Sequence, residues 1–300
     1  LAVPELSGMP RFAEGARYWM QWAGCDTSVY SQNGQLNDYM DDFMSRGKWV
    51  QELSGGSPVN PKTEGRGIPI DIAFAFHTDA GVSPGDSTIG TLGIYTLMCE
   101  NSSKLPDRTS RMTSRELTDL IQSQVVNDLR SGYDPLWSRR HIWDRSYSES
   151  RTTGVPTMLL EMLSHQNFSD MRHGLDPSFR FAVSRAVYKG ILKYLGNRYG
   201  TGYTVQPLPV HSFAVRPKLE GEAVKAVLSW KETPDTLEPT AAAERYILYT
   251  RVDGGAFDNG REIHAALSSD GYYRTETTIL PGHIYSYRIA AYNSGGKSFP

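Results

Sequence analysis

Two residues in this sequence have the type and placement to do chemistry, His77 and Glu161. His77 closes the apolar run Ile70-Asp71-Ile72-Ala73-Phe74-Ala75-Phe76 and opens Thr78-Asp79-Ala80-Gly81. A short apolar run with Gly and Pro on both sides predicts a buried strand of a largely parallel sheet. Open α/β sheets hold their ligands at the carboxyl edge. Val155-Pro156-Thr157-Met158-Leu159-Leu160 is a second such run, and it ends in Glu161. A carboxylate there is costly unless it has a partner. If the two strands are parallel neighbours, His77 and Glu161 face one cleft. An imidazole and a carboxylate so placed suit a metal ligand and a general base. Plainer readings stand beside this one: His77 satisfied by a backbone carbonyl, and Glu161 capping the next helix or paired with an arginine.

The elements that must position these residues alternate in type. Residues 12–23 have helical spacing and stop at Gly24, a C-cap residue. Thr27-Ser28-Val29-Tyr30 reads as a short strand. Residues 37–53 read as one helix, interrupted at Gly47, with acids leading and bases following as the helix dipole favours. After the His77 strand, 91–97 is the next strand. Residues 113–129 form an amphipathic helix with Thr113 or Ser114 at its N-cap, and residues 177–195 form another beyond Glu161. The expected fold is α/β, a mostly parallel sheet with helices on both faces. Residues 200–209 are a turn-rich linker. From His211 the segments VKAVLSW, RYILYTRV, YRTETTIL and YSYRIAAY alternate with period two, which predicts an all-β sandwich. The expected domains are therefore 1–207 and 208–300.

The chain has 300 residues, 39% hydrophobic and 21% charged, the composition of an ordinary globular protein. A net charge of -2 offers no basic field to nucleic acid. No apolar stretch approaches the roughly 20 residues of a membrane helix. Cys25 and Cys99 are either free thiols or one disulfide, and their spacing makes no cysteine metal site.

Two resemblances follow from these motifs. Residues 211–300 resemble a fibronectin type III domain. Trp230 stands at the strand-B tryptophan position, and Leu280-Pro281-Gly282-His283-Ile284-Tyr285 is similar to the turn and tyrosine corner before strand F. The resemblance places the end of this chain before the last strand, with the natural protein continuing past Pro300. Residues 10–199 resemble zinc-dependent N-acetylmuramoyl-L-alanine amidases of the type-3 family. Phe76-His77-Thr78-Asp79-Ala80 is similar to the family's S-I-H-x-N-A motif, and the segment from Val155 to His165 to its P-x-x-L-V-E-x-G-F-x-S-N motif. The likeness extends to Bacteroidetes surface proteins labelled xanthan lyase, in which a golvesin-type domain precedes a segment like Ser7 to Trp19.

The resemblance implies hydrolysis of the lactyl–L-alanine amide of peptidoglycan by a secreted, periplasmic or cell-surface enzyme. His77 would bind zinc and Glu161 would be the catalytic base. The family's first zinc ligand is a His in a G-H-G-G motif; no His precedes His77, so that ligand is expected upstream of Leu1. The second is a Glu opening the first helix. Glu14 fits by position, although a first-turn acid also suits the helix dipole, and Glu5 is weaker because Pro10 would interrupt its helix. Asp79 could orient His77 or cap its loop. His165 could touch substrate or cap the next helix. His141, His173, His211, His264 and His283 read as surface residues. Two other classes remain open: a carbohydrate-active, lyase-like enzyme, and a non-catalytic protein that binds peptidoglycan or another cell-surface glycan.

Overall fold

A computed structural model describes Pro10 and residues 14–300. Glu5 and the start of the expected first helix at Phe12 lie outside the described residues. The chain divides into two units, Leu1–Tyr194 and Leu195–Pro300.

The first unit opens with α1 (Ala16–Trp22), α2 (Thr27–Tyr30) and α3 (Asp38–Ser54). Residues 27–30 are a helical turn rather than the expected strand, because the Asp26 side chain accepts from Ser28 N at 2.8 Å and starts a helix there. Asn37 caps α3 by accepting from Met40 N at 3.0 Å, and Asp38 and Asp41 sit in its first turn. The helix runs unbroken through Gly47.

Four strands follow: β1 (Ala73–Asp79), β2 (Leu92–Tyr95), β3 (Trp143–Asp144) and β4 (Thr157–Ser164). Helices α4 (Met112–Gly132) and α5 (Ser148–Arg151) lie between strands, and α6 (Phe168–Gly174) and α7 (Pro177–Tyr199) come after them. The sheet order is β1-β4-β2-β3. β1 is parallel to β4 and β2 to β3, but β2 is antiparallel to β4. The sheet is therefore mixed, not mostly parallel. A parallel return needs a crossover, usually a helix. α4 supplies one between β2 and β3, whereas the link from β1 to β2 carries only the turn Pro84–Asp86.

β4 is central and buried at every position except Glu161, which is half-buried. β1 is an edge strand and only half-buried, which corrects the expectation of a buried strand. α4 buries Leu117, Ile121, Val125 and Leu129 completely. Its N-cap is Arg111, not Thr113 or Ser114. The Ser114 hydroxyl instead accepts from Thr157 N at 3.1 Å and ties the helix to β4. α4 meets α7 so closely that a Cβ on Gly190 would lie 2.8 Å from Ile121 Cα. Only a glycine allows that approach.

The second unit is all-β. β5 (His211–Glu220), β6 (Ala223–Lys231), β10 (Tyr273–Ile279) and β9 (Ala266–Leu267) make one antiparallel sheet. β12 (Gly296–Lys297), β11 (Tyr285–Asn293), β7 (Arg245–Val252) and β8 (Arg261–Ile263) make the other. Where the sequence pattern stopped before a last strand, the two-residue β12 pairs with β11. Trp230, Leu228, Leu248 and Ile289 fill the core, with the Trp230 ring 5.0 Å from that of Tyr246. Cys25 and Cys99 are both free.

Candidate active site

Register decides which side chains meet. His77 and Glu161 are direct partners across the parallel β1–β4 pair. Side chains in register on neighbouring strands share a face. Both line a cavity of about 600 Å³ with Tyr39, Phe43, Arg46 and Glu149. The register slips just past them, between His77 and Asp79, a β-bulge of the kind that re-aims side chains near sites. Each residue stands a few positions inside its strand rather than at its end, because β1 and β4 begin and finish later than the apolar runs.

His77 has a carboxylate partner that the sequence did not reveal. Its Nε2 hydrogen-bonds Glu149 Oε2. Glu149 also accepts from Arg46 Nη1 at 2.7 Å, and Arg46 Nη2 donates to Asp42 at 2.7 Å. The hydrogen bond to Glu149 raises the His77 pKa, against burial, which lowers it. Burial pushes the Glu149 carboxyl up, but the hydrogen bonds from His77 and Arg46 outweigh it and leave it below its ordinary value. No local pattern marks Glu149, since α5 is a single turn in the run Ser146-Tyr147-Ser148-Glu149-Ser150.

Glu161 is the contrasting carboxylate. Burial raises its pKa, with His77 opposing and Asp79 adding to the rise. Its Oε2 is buried and has no hydrogen-bond partner among the described residues. That differs from the helix cap or arginine pair of the plainer reading. A carboxylate held up in pKa beside a cavity is the usual form of a proton-transfer group.

The remaining sequence candidates are dispersed. Asp79 receives Arg140 Nη1 at 2.6 Å and does not orient His77. Its pKa lies below the usual range, because burial raises it less than Arg140 and the Ala80 N–H lower it. His165 Nδ1 is 3.1 Å from Thr78 Oγ1. Both line a separate apolar cavity of about 400 Å³ with Phe76, Met162 and Phe179. Glu14 precedes α1 and lines a third cavity with Tyr18, Asn37, Asp38 and Asp42. His173, read as a surface residue, is half-buried; its ring lies 5.4 Å from Phe179 and 5.6 Å from Trp137.

The described donors fall short of a catalytic zinc site, which takes three protein ligands and an open position. Among the described residues no three His, Cys, Asp or Glu are grouped to hold a metal. The Nε2 edge of His77 is committed to Glu149, itself neutralised by Arg46.

No protein-family profile matches the chain, and no curated protein matches it. Among solved structures, it is similar to an N-acetylmuramoyl-L-alanine amidase from Clostridium difficile 630. That match has 15% identity and a TM-score of 0.38 and covers 57% of this chain and 80% of that one. It is also similar to the CwlD amidase from Clostridioides difficile in complex with the GerS lipoprotein, at 17% identity and a TM-score of 0.38, covering 60% and 81%. The catalytic domain of CwlV, an N-acetylmuramoyl-L-alanine amidase from Bacillus (Paenibacillus) polymyxa var. colistinus, aligns at 17% identity and a TM-score of 0.33, covering 56% and 89%. At these scores the likeness is a partial match of chain course, and the reading of the site rests on its own residues.

Proposed function

We propose that the first unit is an amide hydrolase of the N-acetylmuramoyl-L-alanine amidase type acting on peptidoglycan, outside the cytoplasm. The observation that carries this reading is Glu161: a half-buried carboxylate with a raised pKa and one unpaired oxygen, set in register with His77 on a shared cavity. The motifs around both residues resemble that family in order and strand context. Glu161 would take the proton of an attacking water and return it to the departing amine, and a pKa nearer neutrality serves both halves. The hydrogen bond to Glu149 raises the His77 pKa and so favours its protonated form, which would stand beside the developing oxyanion. Since the described ligands fall short of a zinc site, no step is assigned to zinc. The second unit we read as a fibronectin type III-like module. In its favour are the fully buried Trp230 and the Tyr285 hydroxyl, which accepts from Leu280 N at 3.0 Å as a tyrosine corner does. Among the described residues no helix is long and apolar enough to cross a membrane.

The test is release of the peptide from a muramoyl-peptide by the wild-type chain and by Glu161→Gln, with and without added zinc. The amide keeps the shape and cannot accept the proton, so turnover should fall about 10²–10⁴-fold. Near-normal turnover of the variant rules out Glu161 as the base. No turnover by the wild type under either condition sinks the amidase reading of this chain.

A further inference from the structure

A further polar cavity of the first unit shares Ser146 and Arg151 with the site and has no role in the mechanism above. It encloses about 930 Å³, and Lys48, Lys62, Lys104, Arg108, Arg111 and Arg151 line it. Against these cations stands one lining carboxylate, Glu100. The nearby Asp107 is occupied locally, with its oxygens accepting from Thr109 N and Oγ1 at 2.8 and 2.7 Å. Among the described residues the hydrogen-bond partners of these cations are neutral. Lys48 donates to the Gln51 side chain at 2.9 Å, Arg151 to Ser146 O at 2.7 Å and Arg111 to Arg151 O at 3.0 Å. Six cations against one carboxylate, Glu100, whose charge acts on Arg111, leave an excess of positive charge that an anion would relieve.

Arg111 distinguishes this cavity from a solvated basic surface. It is only 5% exposed, and its Nε is buried with no hydrogen-bond partner. A buried guanidinium with an idle donor is costly and is normally met by an acceptor. Arg111 is also the N-cap of α4, whose first turn has no acid and no side-chain cap. The first N–H groups of the helix are bonded locally, Met112 N to Ser110 Oγ at 3.2 Å, Thr113 N to Ser110 O and Ser114 N to Arg111 O, so the helix adds only the positive end of its dipole to the same field.

We propose that this cavity binds a ligand carrying two or more carboxylate or phosphate groups, with Arg111 as its buried anchor and the exposed Lys104 and Arg108 as outer contacts. The planar guanidinium fork suits either oxyanion. Ser146 and Arg151 line both this cavity and the one holding His77 and Glu161, so one elongated ligand can reach from one into the other. Anion binding is separate from amide hydrolysis and can be measured without it.

The test is calorimetric titration of the full chain at low salt with citrate and, separately, pyrophosphate. At least one should bind with a Kd below about 1 mM. Lys104→Gln and Arg108→Gln should each weaken it about tenfold, the usual worth of one charge-assisted contact. Lys193→Gln, on the exposed side of α7, should leave it unchanged. Arg111→Met should abolish binding; because that buried change could also unfold the unit, the two exposed variants carry the decision. Citrate binding alone assigns the site to carboxylates, pyrophosphate binding alone to phosphates, and binding of both to their shared chemistry. Failure of both to bind, or equal affinity in all variants, overturns the proposal.

Discussion

Replacing Gly47 with alanine sets helix propensity directly against packing. Gly47 is in the middle of α3, where alanine is favoured over glycine by about 1 kcal/mol. The added Cβ, however, would run into Thr152 Oγ1, 3.3 Å from Thr152 Cβ and 3.2 Å from Ser148 O. Thr152 is not free to swing aside, because its hydroxyl donates to Ser148 O at 2.7 Å. Relief requires either breaking that bond, worth about 1 kcal/mol, or moving α5 off α3. Overpacking of this kind typically costs about 1–3 kcal/mol. The expected net effect is a loss of up to about 2 kcal/mol where propensity alone promises a gain. Because α5 carries Glu149, the same shift would stretch the 2.7 Å Arg46–Glu149 ion pair.

Urea denaturation of the wild type, Gly47→Ala, Thr152→Ala and the double variant measures this. The double variant should recover most of the loss, with a coupling energy of about 1 kcal/mol or more. A Gly47→Ala protein that is more stable by about 1 kcal/mol, or a coupling near zero, would refute the claim that α3 and α5 pack through this glycine.

Two further outcomes follow from the site. Glu149 has a lowered pKa, so its contribution to stability is present above the ordinary carboxylate value and lost as pH falls through its folded pKa; His77 has a raised pKa, so its contribution is present below its ordinary value and lost as pH rises through its folded pKa. Glu149→Gln should therefore destabilise most between about pH 4.3 and 6.5 and shift the His77 titration downward by NMR, and an equal loss at pH 6 and pH 9 would exclude the pair. Equilibrium dialysis with metal analysis should find less than one tightly held zinc per chain, since too few ligands remove both bond energy and geometry; one tightly bound zinc would place a complete ligand set within these residues.

The parts of the fold legible in the sequence were those set by local pattern. The apolar stripe of α4 and the alternation of β6 and β7 each bury one face, and the pattern records that face, whereas β11 buries Ile289, Ala290 and Ala291 in a row. Residues 27–30 misled because Val29 and Tyr30 have strand-like side chains, while the Ser28 N–H bond to the Asp26 side chain and the bonds from Val29 N to Asp26 O and Ser31 N to Thr27 O set a helical turn. The direction of β2 was also invisible, because it depends on what lies in the link from β1 rather than on the strand itself.

The candidate site divides along the same line. His77 and Glu161 stood out because polar groups in apolar runs are costly, and that cost is written locally. Their alignment required both strands to start late by similar amounts, which keeps the pair in register although each strand end was misplaced. Glu149 and Arg46 had no such signal. Their partnership spans 103 positions and depends on α5 sitting against α3 at Gly47. Read in the sequence, that glycine is a flaw in a helix. In the structure it is the reason a third element can come close enough to give His77 its carboxylate. The electrostatics of the cavity are thus set by a contact between two helices, and the residue that permits that contact carries no charge.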